Sequence, residues 1–437
     1  MHRGIATFTL DSGKCPKWLF ERMVKLGREI MQVLIAEYGP DEFIKRIADP
    51  VWFQSLGTVL AFDWNASGLT TILTAALKEA IRGSERQFGV FICGGKGKTS
   101  LKTPDQISDW GERLSLPDGY ASSLMYNSKM SAKVDSALIQ DGFELYHHAF
   151  FFSKNGAWAV VQQGMNKVKQ SARRYHWFSE NAKDLIVEPH SGIVSDPLRK
   201  VVPTLNMTSK LSDPNKKTTI EIVGGGKYYN LMKDIQVLRN HSSHLSKMIS
   251  MKIAKDGTVD GSGGVSGRNG HGENNPDQLT LLELAPREFR VHPVITEDFS
   301  RSKYLERILW KVCDTQPGNY EKLLAMEGVG PKTIRALSLV SEVIYGSEAS
   351  YTDPARFSFA HGGKDATPYP VDRRTYDQSI SMLKKAVEKS HMNYTDKRGA
   401  INRLEGNASI DFMDNRGVLN RLSPNDGGFA GAGVAAA

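Results

Sequence analysis

The chain has 437 residues, of which 40% are hydrophobic and 24% charged, with a formal net charge of +8 and a pI of about 9.1. These values suit a globular protein of roughly two to four domains, and no apolar run reaches the ~18 residues of a membrane span. Cys15, Cys93 and Cys313 are too far apart for a zinc site, so reduced thiols, a cytoplasmic location and no membrane partner are expected.

Residues 1–223 are predicted to form one α+β unit. Apolar spacing predicts helices from Trp18 to about Glu37, over 41–47, and from Ser67-Gly68 to about Ile81. Phe88 to Cys93 is short, apolar and rich in β-formers, and reads as a strand. His148 to Val161 is the clearest hairpin, because Asn155-Gly156 between two aromatic runs suits a type I′ turn with both residues at positive φ. Residues 204–227 read as polar and turn-rich. A connector over 224–295 holds a helix at 228–254 and a glycine-rich flexible insertion at 255–277. Residues 296–405 read as a second, mostly helical domain, and 406–437 as a largely disordered tail.

Lys and Arg outnumber Asp and Glu in Gly164–Lys217 and again in His361–Arg403, as in a protein that follows a polyanion rather than a single anion. The most specific local pattern is Leu323 to Leu337, which reads helix, Gly-Val-Gly, helix. Gly328 and Gly330 allow a tight bend and Pro331 suits the first turn of the next helix. The unpaired amides at that helix start attract a phosphate oxygen, with Lys332 and Arg335 adding charge. The stretch resembles the helix-hairpin-helix of DNA-repair proteins. That likeness implies binding of duplex phosphates through Gly328, Val329, Gly330, Lys332, Thr333 and Arg335, with a monovalent cation at the hairpin. A narrower likeness, to helix-hairpin-helix glycosylases, makes Lys332 an amine nucleophile supported by Asp372, although Arg373-Arg374 replaces the usual residues after the Val-Asp pair.

Three further groups are candidates. Gly94, Gly95, Lys96 and Lys98 follow a strand and form an anion-binding nest rather than a nucleotide-hydrolysing P-loop, since Ile92 stands where its first glycine belongs. Arg173 and Arg174, beside Tyr175, His176 and Trp177, suit phosphate pairing and base stacking; a core-facing aromatic helix is the competing reading. Asp135, Asp141, Glu144, His147 and His148, joined by Asp63 and His190, supply oxygen and imidazole donors for Mn²⁺ or Mg²⁺. Asp135, Asp141 and His148 are the expected ligands, although His147 and His148 face opposite ways on a strand.

Long segments, among them Pro16-Lys17-Trp18-Leu19, Asp49 to Gln54, Phe62-Asp63-Trp64, Gly94 to Gly97, Leu145 to His148, Trp158 to Asn166 and Ala172 to Trp177, make the chain similar to the prokaryotic family catalogued as domain of unknown function 763. The resemblance implies an amino-terminal domain like ParB-type nucleases joined to a helix-hairpin-helix domain, and DNA as partner. The expectation is therefore a metal-dependent endonuclease acting on structured or single-stranded DNA in repair or recombination. The alternatives are a glycosylase or lyase and a non-enzymatic DNA adaptor, with a homodimer left open.

Overall fold

The computed structural model describes residues 10, 15–60, 66–117, 119–195, 204–225, 228–238, 302–355, 373–405, 410–413 and 419–422. Asp63, Asp372, the insertion at 255–277 and the tail from 423 lie outside these residues.

Helix α1, Lys17–Ala48, is two helical pieces joined at Gly39-Pro40, where Gly39 takes φ 83°. The two predicted segments are therefore present and separated by the break that proline imposes. Helix α2, Pro50–Val59, was not predicted; the Asp49 carboxylate caps it by accepting from the amides of Val51 and Trp52. Helices α3, Ala66–Ala80, and α4, Glu85–Phe88, lead into strand β1, Val90–Lys96. A 3-10 turn over Gly97–Lys102 then precedes α5, Thr103–Leu114, and α6, Tyr120–Ala137.

Strands β2, Ile139–Gln140, β3, Glu144–Ser153, β4, Trp158–Asn166, β5, Ser171–Phe178, β6, His190–Val194, and β7, Leu205–Asn206, follow. Four of them join β1 in one antiparallel sheet ordered β1-β3-β4-β5-β6. The β3–β4 hairpin stands where the aromatic runs predict it. Its turn differs: of Asn155 and Gly156 only the glycine has positive φ, so the bend is not the expected type I′. The reading of Ala172 to Trp177 as a helix is corrected, since β5 pairs with both β4 and β6 there.

Side-chain alternation sends the two faces of the sheet into different cores. Phe91, Cys93, Phe150, Phe152, Trp158, Val160 and Trp177 pack under α5 and α6. Ile92, Ala149, Phe151, Ala159, Val161 and Phe178 pack under α1–α3. The fold is thus helices on both sides of an antiparallel sheet.

Later elements join these same cores. Helix α7, Asp213–Gly225, and a helix over 228–238 (α8) precede α9, Lys303–Thr315, α10, Tyr320–Ala325, and α11, Pro331–Leu339, which runs on into a π-turn over Val340–Ile344. Their apolar residues, including Leu309, Leu323, Leu324, Ile334 and Leu337, share one cluster with the α6 face of the sheet. Leu383, Ala386 and Val387 of α12, Arg373–Lys389, and Ala400 of α13, Tyr394–Glu405, join the α1–α3 core. The boundary drawn at 295/296 is therefore not a boundary of the core. A small hairpin of β8, Ile410–Met413, and β9, Leu419–Leu422, ends the described chain.

Candidate nucleic-acid interface and the polar centres behind it

The bend between α10 and α11 is built for exposure at one end and packing at the other. Asn319 caps α10, its side chain accepting from the Lys322 amide at 2.8 Å. Gly328 has φ 89°, and a β-carbon there would overlap the side chain of Ile308. Val329 is buried and pins the bend to the core. Gly330 is extended, begins α11 with no side-chain cap, and has nothing within 4 Å of where a β-carbon would sit. Pro331 and Lys332 are exposed, whereas Thr333 is buried. The leading amides of α11 have no partner inside the helix, and no side chain caps them.

Helix α6 clamps this bend from below. The Lys133 ammonium donates to the carbonyls of Leu324 at 2.7 Å and Met326 at 2.6 Å. Partial burial and the nearby Lys311 ammonium lower its pKa, while Glu327 opposes the shift. Tyr126 donates to Glu321, and the Gln140 amide donates to the Pro331 carbonyl at 2.9 Å. Arg335 donates from Nε to the Gln140 side chain, so it braces the hairpin against β2.

Two polar centres lie inside the sheet, one on each face. On the α6 face, Asp135 is fully buried and accepts from Gln162 at 2.5 Å, His190 at 2.5 Å and Trp177 at 3.1 Å. Because the Gln162 amide nitrogen donates to Asp135, its oxygen accepts from His148 Nδ1 at 2.9 Å. His148 Nε2 is then the acceptor for the Ser128 hydroxyl at 2.9 Å. Burial raises the Asp135 carboxyl, with the His190 charge and the hydrogen bonds of His190 and Trp177 opposing it; burial pushes His148 down to about 4.

Nearby, Asp141 accepts from Arg173 at 2.8 Å and from the Tyr175 hydroxyl at 2.7 Å. Asp353 closes on the same guanidinium at 2.6 and 3.0 Å. On the opposite face His147 meets Thr74 at 3.2 Å, and burial with the charge of His148 pushes it down to about 3. Gln163 donates to Ser67 and to Tyr146. Arg174 donates to Gln54 at 3.0 Å, and His176 to the Ile47 carbonyl at 3.2 Å.

A pocket of about 810 Å³ opens on this second face. Its walls come from α1, α3, β1 and β3, and include Phe20, Ile72, Thr74, Lys78, Lys96 and Tyr146. Gly94 and Gly95 have φ 83° and 146°, and a β-carbon on Gly94 would overlap the His148 carbonyl. Lys96, Lys98 and Thr99 are exposed beyond them.

These positions correct several expectations. Arg173 and Arg174 are interior, held by carboxylates and Gln54, so neither is presented at the surface for phosphate pairing. Glu144 is on the surface beside Lys167. His147 and His148 do face opposite ways, and Asp141 belongs to the Arg173 network rather than to that of Asp135. Among the described residues no three His, Cys, Asp or Glu side chains converge as a metal site, so Asp135, Asp141 and His148 do not form one. Lys133, Lys78, Tyr146, Thr74 and Ser128 were not foreseen. Their partners are backbone or distant side chains that no local spacing reveals.

Fold and site define an α+β protein with an antiparallel sheet between helical layers, a polar centre on each sheet face, and a half-buried glycine bend at the start of α11 with Lys332 exposed beside it. A family model described as a protein of unknown function (DUF763) matches residues 4–371, and the chain belongs to that family. No curated protein and no solved structure matches it. Among the described residues no helix is long and apolar enough to cross a membrane.

Proposed function

We propose that this is a DNA-binding protein that holds the phosphate backbone through the bend at Gly328–Lys332. The observation that carries the reading is the uncapped start of α11, with bare backbone at Gly330 and the exposed Lys332 beside it. A helix start of this kind binds phosphate oxygens through its amides and its positive dipole end. Such contacts fix position without reading bases. The Lys133 ammonium serves as the hairpin's cation, holding the Leu324 and Met326 carbonyls inward.

The test is binding to two duplexes of unrelated sequence by fluorescence anisotropy at several salt concentrations. Equal affinities that fall steeply with salt are expected. Failure to bind either duplex, or a hundredfold preference between them, refutes the reading.

A second reading is DNA cleavage with the buried Asp135–His190 pair, a carboxylate and imidazole 2.5 Å apart, as its acid–base couple. Cutting that is lost in His190→Asn supports it. A lyase centred on Lys332 instead predicts EDTA-resistant cutting at abasic sites, with a covalent adduct trapped by borohydride.

A further inference from the structure

We propose that the pocket between α1, α3 and β1 binds one nucleoside monophosphate unit, with its phosphate at the Lys96 end and its base against the Phe20 and Ile72 wall. The volume of about 810 Å³ falls inside the range of about 300–1,000 Å³ typical of small-molecule sites. Its chemistry is divided as such a ligand requires. Phe20 and Ile72 give an apolar wall, while Lys78, Lys96, Thr71, Thr74 and Tyr146 give cations and hydroxyls.

The cations differ in how much of their hydrogen-bonding capacity is committed. Lys78 donates to the Gly94 carbonyl at 3.0 Å and to Gln106 at 2.8 Å. An ammonium has three N–H groups, so one is left for a ligand in a pocket that Lys78 lines. Partial burial also lowers its pKa, which marks it as a charge held away from bulk water. Lys96 is exposed at the rim, 5.9 Å from the centre of the Tyr146 ring, and no ion pair with it is formed among the described residues. Arg82, by contrast, is committed to Glu79 at 2.7 Å.

The floor is fixed from behind. Thr74 contacts His147, and Tyr146 is held by Gln163, which also bonds Ser67. His147 Nδ1 and Gln163 Oε1 are buried with no hydrogen-bond partner among the described residues. Neither residue lines the pocket, so both belong to the packing behind its floor. Gly94, Gly95 and Thr99 line the pocket beside Lys96, and the Thr99 side chain packs against Gly95 where a β-carbon would point. A nucleoside monophosphate can come from the free pool or be the terminal or extruded unit of a strand. The proposal rests on the DNA-binding reading only for the second source.

Isothermal titration of the full chain with deoxythymidine monophosphate, thymidine, inorganic phosphate and a short single-stranded oligonucleotide tests this. The monophosphate should bind saturably and at least about tenfold more tightly than thymidine or phosphate alone, since both halves of the site are used. Lys96→Met should weaken it by about tenfold, and Ile72→Trp, which fills the apolar half, should abolish it, with both variants melting as the parent does. Tyr146→Phe is the substitute if either variant fails to fold. An oligonucleotide that outcompetes the free monophosphate identifies a strand as the source; the reverse identifies the free pool. Absent monophosphate binding, or binding unchanged in Lys96→Met and Ile72→Trp, overturns the proposal. Lys332→Ala should leave monophosphate binding intact, so failure of the pocket and failure of the hairpin reading are separable.

Discussion

His147 and His148 are adjacent in sequence, and each is sealed in neutral form into its own face of the sheet. Burial holds them near about 3 and about 4, against an unfolded value of about 6.5. Between those values the unfolded chain binds a proton that the native chain refuses. Their contribution to stability is therefore complete above pH 6.5 and falls as pH drops towards 4, by about 1.4 kcal/mol per pH unit for each histidine. Gln in place of His148 keeps a donor and an acceptor but cannot titrate. Urea midpoints from pH 7 to 4 should thus be flatter for His148→Gln than for the parent, and parallel curves would show that the ring is not buried neutral. Arg173 gives a second check at this scale. Removing it strands Asp141 beside Asp353, so Arg173→Met should cost about 3–5 kcal/mol by denaturant titration. Lys133 gives a third: Lys133→Ala should make duplex affinity depend on potassium, and affinity lost equally in potassium and in choline would remove its role as the hairpin's cation.

At the scale of elements, the two glycines of the bend make opposite demands. Gly328 is needed by the fold, because positive φ and the Ile308 side chain both exclude a β-carbon. Gly328→Ala should destabilise by more than about 1 kcal/mol. Gly330 is extended with open space beside it, so Gly330→Ala should melt as the parent does yet bind duplex more weakly, the added methyl standing where phosphate approaches the backbone. Equal duplex affinity in Gly330→Ala would argue that phosphate does not approach there. Elements differed in how legible they were for a related reason. The β3–β4 hairpin is written in local aromatic runs. In contrast β5, Ser171–Phe178, buries Arg173, Arg174 and His176, so its interior positions look like surface ones. Asp141, Asp353, Gln54 and Ile47, all far along the chain, are among the partners that make that burial tolerable. Helix α7 was equally hidden, since it buries Asn215, Lys216 and Thr219 alongside Ile222 and Val223 and so shows no continuous apolar stripe.

Across the whole molecule, the hairpin is part of one packed body rather than an appended module. Tyr126, Lys133 and Gln140 reach it from α6 and its end at spacings of seven, and its apolar residues merge with the sheet core. The acidic residues singled out in the sequence are divided between separate networks, because charge and histidine content say nothing about which sheet face a residue enters. What the account requires of the molecule is that its affinity for DNA come from phosphate contacts at α11. The slope of log affinity against log salt, measured for one duplex with the parent and Lys332→Ala, tests this directly. The account predicts a slope shallower by about 0.9 in the variant, the loss of a single phosphate contact, with melting temperature unchanged. An unchanged slope, or no duplex binding by the parent, would contradict it.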